Sequence, residues 1–132
     1  MNLLLDTHVW VWTQADPDRI GPGARQKLET VVRLYVATIS SLEIARLVSV
    51  GLLELDDSIA QWIKASIEAL RCSSIEMSHE VATGAYQLPG EFHKDPADRI
   101  LVATAREHDL TLVTADERIL AYEDVSTLDV RK

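Results

Sequence analysis

Apolar positions in this chain follow two rhythms that take turns. Residues 2–5, 34–39 and 110–114 are short, nearly continuous runs rich in Leu, Val and Ile, the pattern of strands covered on both faces. Between them the apolar positions recur at helical spacing, most plainly over 57–70, where Ile59, Trp62, Ile63, Ile67 and Leu70 share one side. Asp16-Pro17-Asp18 ends a short apolar helix carrying Val9, Trp10, Val11 and Trp12, and Gly21-Pro22-Gly23 opens a polar helix to about residue 32. Ser40-Ser41-Leu42-Glu43 has capping-box spacing, which predicts a helix with Ser40 as cap, Glu43 at the third position and a stop at Gly51.

Residues 73–77 read as a short strand and 78–88 as a helix closed by Pro89-Gly90. The run 100–105 is apolar enough for a strand. Asp95-Pro96-Ala97-Asp98 nevertheless supplies a cap, a proline at the first position and an acid at the third, so 96–108 reads as helix. A strand at 110–114, a short helix at 116–120 and a last strand at 125–130 complete the alternation. Strands alternating with helices predict an α/β fold, a three-layer α/β/α sandwich around a mainly parallel sheet. With no repeat, low-complexity tract or Gly/Ser linker, residues 1–132 read as one domain, long enough to bury roughly two thirds of its unfolded surface.

Cysteine and charge narrow the class. The lone Cys72 has no internal partner and reads as a reduced thiol, which favours a cytoplasmic protein. Residues 1–5 lack a basic flank, and Asp6 and His8 interrupt the run before it becomes a signal sequence. No later run approaches the roughly eighteen apolar residues of a membrane span, so no membrane partner is expected. Thirteen basic and 21 acidic side chains give a formal charge of −8, which opposes nucleic-acid binding through a broad basic face. That objection weakens if several acids hold cations.

Four acids stand near points where a strand-like run gives way to a helix: Asp6, Glu43, Asp98 and Asp116. Strand-to-helix crossings of an open parallel sheet lie along one edge, so these residues can converge at the carboxyl ends of the strands. Singly, each has a cap reading, because a carboxylate at a helix start accepts free backbone N–H groups. Jointly, like-charge repulsion would raise carboxyl pKa values and make a divalent cation favourable. Oxygen donors with neither Cys nor an obligatory His suit Mg²⁺ or Mn²⁺ over Zn²⁺. Helix N-termini around the same crevice could offer N–H groups to phosphate.

Leu3-Leu4-Leu5-Asp6-Thr7-His8, Ser40-Ser41-Leu42-Glu43-Ile44-Ala45, His93-Lys94-Asp95-Pro96-Ala97-Asp98-Arg99-Ile100-Leu101-Val102-Ala103 and Leu112-Val113-Thr114-Ala115-Asp116 resemble, in order and spacing, the successive motifs of PIN-domain nucleases. More narrowly, they resemble VapC-type toxins of bacterial toxin–antitoxin pairs. The resemblance implies an endoribonuclease in which Asp6, Glu43, Asp98 and Asp116 bind one or two Mg²⁺ or Mn²⁺ ions and direct RNA phosphodiester hydrolysis. Asp6 and Asp98 match the most constant ligand positions. Asp95 is expected to cap the helix or bind through water, with the cap favoured. Thr114 has two roles open to it, orienting ligands or capping a helix, and Thr7 is a possible supporting hydroxyl. The likeness also implies a small antitoxin that lays a helix across apolar grooves, and a homodimer.

Other charged groups read more plainly. Arg99 can meet phosphate or pair with a carboxylate, and Arg46 shares a helical face with Glu43. His8 and His93 read as rim or substrate-contact groups, His79 and His108 as surface. Trp10, Trp12 and Trp62 offer apolar surface either to the core or to a partner. Two other readings compete. A receiver-like Mg²⁺-binding signalling module expects paired acids after the first strand and a Lys after the last, which this chain lacks. A noncatalytic binding subunit would use the acids as caps alone.

Overall fold

A computed structural model describes all 132 residues. Its centre is a wholly parallel five-stranded sheet of β1 (Asn2–Leu5), β2 (Arg33–Ala37), β3 (Ser73–Ile75), β4 (Thr111–Thr114) and β5 (Thr127–Asp129), in the order β3-β2-β1-β4-β5. β1 is central, with Leu4 in register with Tyr35 on one side and Leu112 on the other. The seven helices are α1 (Thr7–Ala15), α2 (Pro22–Thr30), α3 (Thr38–Ser49), α4 (Ile59–Leu70), α5 (His79–Gly84), α6 (Pro96–Glu107) and α7 (Glu117–Leu120).

Side chains that alternate along the strands build two cores. Leu3, Leu5, Leu34, Val36 and Val113 face one side, where α1 supplies Val9 and Trp10, α2 supplies Ala24, and α4 lays down Ile59, Trp62, Ile63 and Ile67. Leu4, Tyr35 and Leu112 face the other, against Leu101, Val102 and Ala105 of α6 and Ile119 of α7. Helices therefore cover both faces, which explains why the strands read as continuous apolar runs. Trp10 is fully buried and donates its indole N–H to Ser66 at 2.9 Å, with Trp62 at 5.3 Å ring to ring. Trp10 belongs to the core and Trp62 packs partly buried against it, the core alternative for these two side chains.

β3 ends at Ile75 instead of residue 77 and β5 spans Thr127–Asp129 instead of 125–130, and two further boundaries differ for a visible reason. β2 stops at Ala37 and α3 begins at Thr38, capped by no side chain. Ser40 therefore sits inside the helix and Glu43 lies midway along it, because tertiary packing of Ile39 and Ile44 outweighs the weak helix propensity of β-branched residues. α5 stops at Gly84 instead of reaching residue 88. The Ala85 carbonyl would normally accept from residue 89, but Pro89 has no N–H, and the Arg99 guanidinium takes that carbonyl instead at 3.0 Å. At the far edge Gly21 is fixed by close approach: an added Cβ would lie 2.4 Å from the Arg131 carbonyl oxygen.

Candidate metal centre

Strand order reverses direction between β1 and β4, since the chain leaves β1 toward β2 and reaches β4 on the opposite side. Such a switch point opens a crevice at the carboxyl ends of the strands. Asp6 follows β1, Asp116 follows β4, and α3 and α6 enter from the flanks.

Asp6 is buried and held at both oxygens. Oδ1 accepts the Thr7 backbone N–H at 2.7 Å, making Asp6 the cap of α1, and Oδ2 accepts the Thr114 hydroxyl at 2.7 Å. His8 accepts the Ala115 N–H at Nε2, 3.0 Å away, which leaves its neutral-ring proton on Nδ1, 3.5 Å from Asp6 Oδ2. Thr114 thus orients a ligand candidate and also accepts the Asp116 N–H at 3.0 Å. The helix cap there is Asp116, not Thr114.

Thr7 joins the second acid to the first. Its hydroxyl lies 2.5 Å from Glu43 Oε1 and 2.8 Å from the Ser40 hydroxyl. One hydroxyl carries one proton, so donating to the Glu43 carboxylate leaves Thr7 to accept from Ser40. That pairing is why Ser40 is no cap. Burial lifts the Glu43 carboxyl above its ordinary range, and the charges of Asp6 and Asp95 add to the rise against the Thr7 bond.

Asp98 sits in the first turn of α6, its backbone N–H donating to Asp95 Oδ1 at 3.0 Å, so Asp95 is the cap. The Asp98 carboxylate faces inward, and burial followed by repulsion from Asp6, Asp95, Asp116 and Glu43 pushes its pKa to about 8. That repulsion places all five carboxylates in one field. Oδ2 lies 3.0 Å from His93 Nε2, misaligned for a hydrogen bond, and 3.8 Å from the Arg118 guanidinium. Arg118 also grips Asp116 through Nη2 at 3.0 Å and Nε at 3.3 Å. Burial opposes it, but these bonds and the Arg118 backbone N–H hold the Asp116 carboxyl below its ordinary range.

With the side chains so placed, no three acids meet closely enough to grip one ion. Arg118 supplies the counter-charge that a cation would supply. The donor set still fits a hard divalent cation: its oxygens are anionic, hydroxyls aim two of the acids, and repulsion penalises the uncompensated cluster. Arg118, which now pairs with Asp116, is exposed and free to swing away, and the acid side chains then have to draw together around the ion.

Arg99 is not part of this centre. It donates to the carbonyls of His93, Phe92 and Ala85 at 2.8 to 3.0 Å and braces the loop that carries His93. Among the helix starts around the crevice, α1, α6 and α7 each spend one first-turn N–H on an acid, whereas α3 has no side-chain cap. Sequence reasoning missed Arg118 and the direct approach of His8 and His93 to the acids. The spacing Asp116-x-Arg118 was the available signal, since a side chain two residues past a cap can fold back on it.

A family model described as PIN domain matches residues 3–125. The chain belongs to the PIN-domain family. A curated relative, Ribonuclease VapC22 of Mycobacterium tuberculosis, is 39% identical over 121 residues, covering 92% of both chains. Among solved structures, DNA-bound VapBC from Salmonella typhimurium gives a TM-score of 0.70 over 98% of both chains at 15% identity. VapBC2 from Rickettsia felis bound to a promoter DNA fragment gives 0.68, covering 97% of this chain and 98% of that one, again at 15% identity. At such identities the likeness is one of fold. For this PIN domain the receiver-like alternative falls away, as its missing paired acids and Lys already suggested.

Proposed function

We propose that this PIN domain is a Mg²⁺- or Mn²⁺-dependent endoribonuclease, the toxin of a type II toxin–antitoxin pair, with Asp6, Glu43, Asp98 and Asp116 holding one or two ions. The observation that carries the reading is the convergence of acids from four elements on the β1/β4 switch point, where burial and then their mutual repulsion raise the Asp98 pKa to about 8. Similarity to a named ribonuclease along most of the chain supports the substrate class. When bound, the cation would lower the pKa of an attacking water and neutralise charge on the phosphoryl group. Thr114 holds Asp6, and Thr7 holds Glu43, so two acids are oriented before substrate arrives. His93 and Arg118 line the way in and can contact RNA phosphate.

Residues 1–132 form a single domain in this reading, working in the cytoplasm. No helix is long and apolar enough to cross a membrane. The partners are RNA, a cognate small antitoxin and a second copy of the chain. Leu42, Val50 and Leu52, exposed along and just after α3, are the apolar residues that suit protein contact. The deciding experiment incubates labelled RNA with Mg²⁺ or Mn²⁺ and compares wild type with Asp6→Asn and Asp98→Asn. Cleavage lost on chelation and in both variants is expected. Metal-dependent cleavage that survives both substitutions refutes the site, and no cleavage by wild type favours a noncatalytic binding subunit.

A further inference from the structure

A pocket of about 430 Å³ lies beside the acids, between the Gly90–His93 loop and α7 with the turn that follows it. Its volume falls within the usual range of ligand sites. His93 and Arg118 line it and also approach Asp98 Oδ2, so the pocket and the acidic centre share a wall. Phe92 and Tyr122 form the apolar part, their rings 4.9 Å apart. The Tyr122 hydroxyl donates to the Pro89 carbonyl at 2.6 Å, which fixes that ring. The polar wall is Glu91, Glu123 and Asp124.

We propose that this pocket receives the base of the nucleotide next to the scissile phosphate and favours bases with an exocyclic amino group over uracil. The inference rests on the nuclease reading. A strand laid over Asp98 and Asp116 brings its neighbouring residue to the pocket mouth, because both sites meet at Arg118. The three carboxylates repel a phosphate, so a base edge faces them while the backbone stays with Arg118. Ionised carboxylates accept hydrogen bonds and cannot donate them. Adenine, cytosine and guanine present amino donors, whereas uracil presents two carbonyl acceptors and one N–H. Aromatic side chains give the base face its apolar contact, as in other single-strand sites.

The test uses the full chain with Mn²⁺ on RNAs that differ only in the nucleotides flanking one cleavage site, with KM and kcat measured separately. Wild type is expected to favour A, C or G over U at one flanking position by about tenfold, about 1.4 kcal/mol. The surface double variant Glu91→Gln/Glu123→Gln should lose most of that preference, because an amide both donates and accepts. Phe92→Leu should raise KM and leave kcat nearly unchanged. As a readout independent of cleavage, AMP and CMP should shift amide resonances of residues 90–93 and 122 more than UMP does. Cleavage without base preference, or the same profile in all three proteins, overturns the pocket assignment and leaves the nuclease reading standing. Loss of a protein partner from the variants with an unchanged RNA profile also overturns it. Absence of any metal-dependent cleavage overturns the nuclease reading itself.

Discussion

Replacing Asp98 by Asn should stabilise the metal-free protein, although it removes a residue proposed as essential. Asp98 keeps only 12% of its side-chain surface exposed, and this burial, followed by repulsion from four other carboxylates, lifts its pKa from 3.8 to about 8. At about 1.4 kcal/mol for each tenfold change in proton affinity, the ceiling on this strain is ~6 kcal/mol. Solvent reaches the crevice and Arg118 already compensates part of the charge, so a working figure is ~2 kcal/mol. Asn has nearly the same shape, keeps an oxygen toward His93 and turns an amide donor toward the acids.

The sign follows from the raised pKa. Below pH 4 Asp98 is protonated in folded and unfolded chains alike, and the variant gains nothing. Between pH 4 and about 8 the unfolded chain carries the carboxylate freely while the folded one resists it, so wild type loses stability as pH rises. The gain of Asp98→Asn should therefore be near zero at pH 4 and full at pH 8 and above. Differential scanning calorimetry in EDTA should show a Tm about 5 to 10 °C above wild type at pH 8. Other titrating groups, such as Asp129 held near pKa 2 by Arg131, are common to both proteins and cancel in the difference. A variant that melts at or below wild type at pH 8, or whose gain ignores pH, refutes the reasoning. Excess Mn²⁺ should reverse the order, since ligand at a hundred times Kd adds about 2.7 kcal/mol to whichever protein still binds it.

Other substitutions probe the supports. Thr114→Val leaves Asp6 Oδ2 without its buried donor and should cost about 2 kcal/mol by urea unfolding, with weaker Mn²⁺ binding by calorimetry. Arg118→Gln removes the internal competitor for Asp116 and Asp98, so Mn²⁺ should bind a few-fold tighter by the same measurement; unchanged or weaker binding counts against Arg118 as a stand-in cation. Arg99→Met frees three loop carbonyls and should lower stability by about 3 kcal/mol in denaturant melts, more than any surface arginine change. Ser66→Ala strands the buried Trp10 indole N–H and should cost about 1 to 2 kcal/mol, read by tryptophan fluorescence during unfolding.

What the sequence disclosed depended on how local each signal was. β1, β4 and the entry to α6 were legible because burial, capping and proline placement agree within a few residues there. Ser40, Arg99 and Arg118 were misread or missed, because their partners are set by packing: Thr7 lies 33 residues from Ser40, and Arg99 answers a carbonyl that Pro89 leaves unpaired. The acids exposed a deeper fault, in treating cap and ligand as rival roles. Asp6 caps α1 with Oδ1 and turns Oδ2 to Thr114, so capping immobilises the carboxylate that a metal would need. Asp116 likewise accepts the Arg118 backbone N–H at one oxygen, and its pKa is lowered. Glu43 and Asp98 accept no backbone N–H, and theirs are the two carboxyl pKa values that rise. Backbone dipoles steady one part of the cluster and withhold support from the other. Burial and neighbouring charge thus leave Glu43 and Asp98 carrying the electrostatic strain, with no backbone N–H to offset it, and an incoming cation relieves most there.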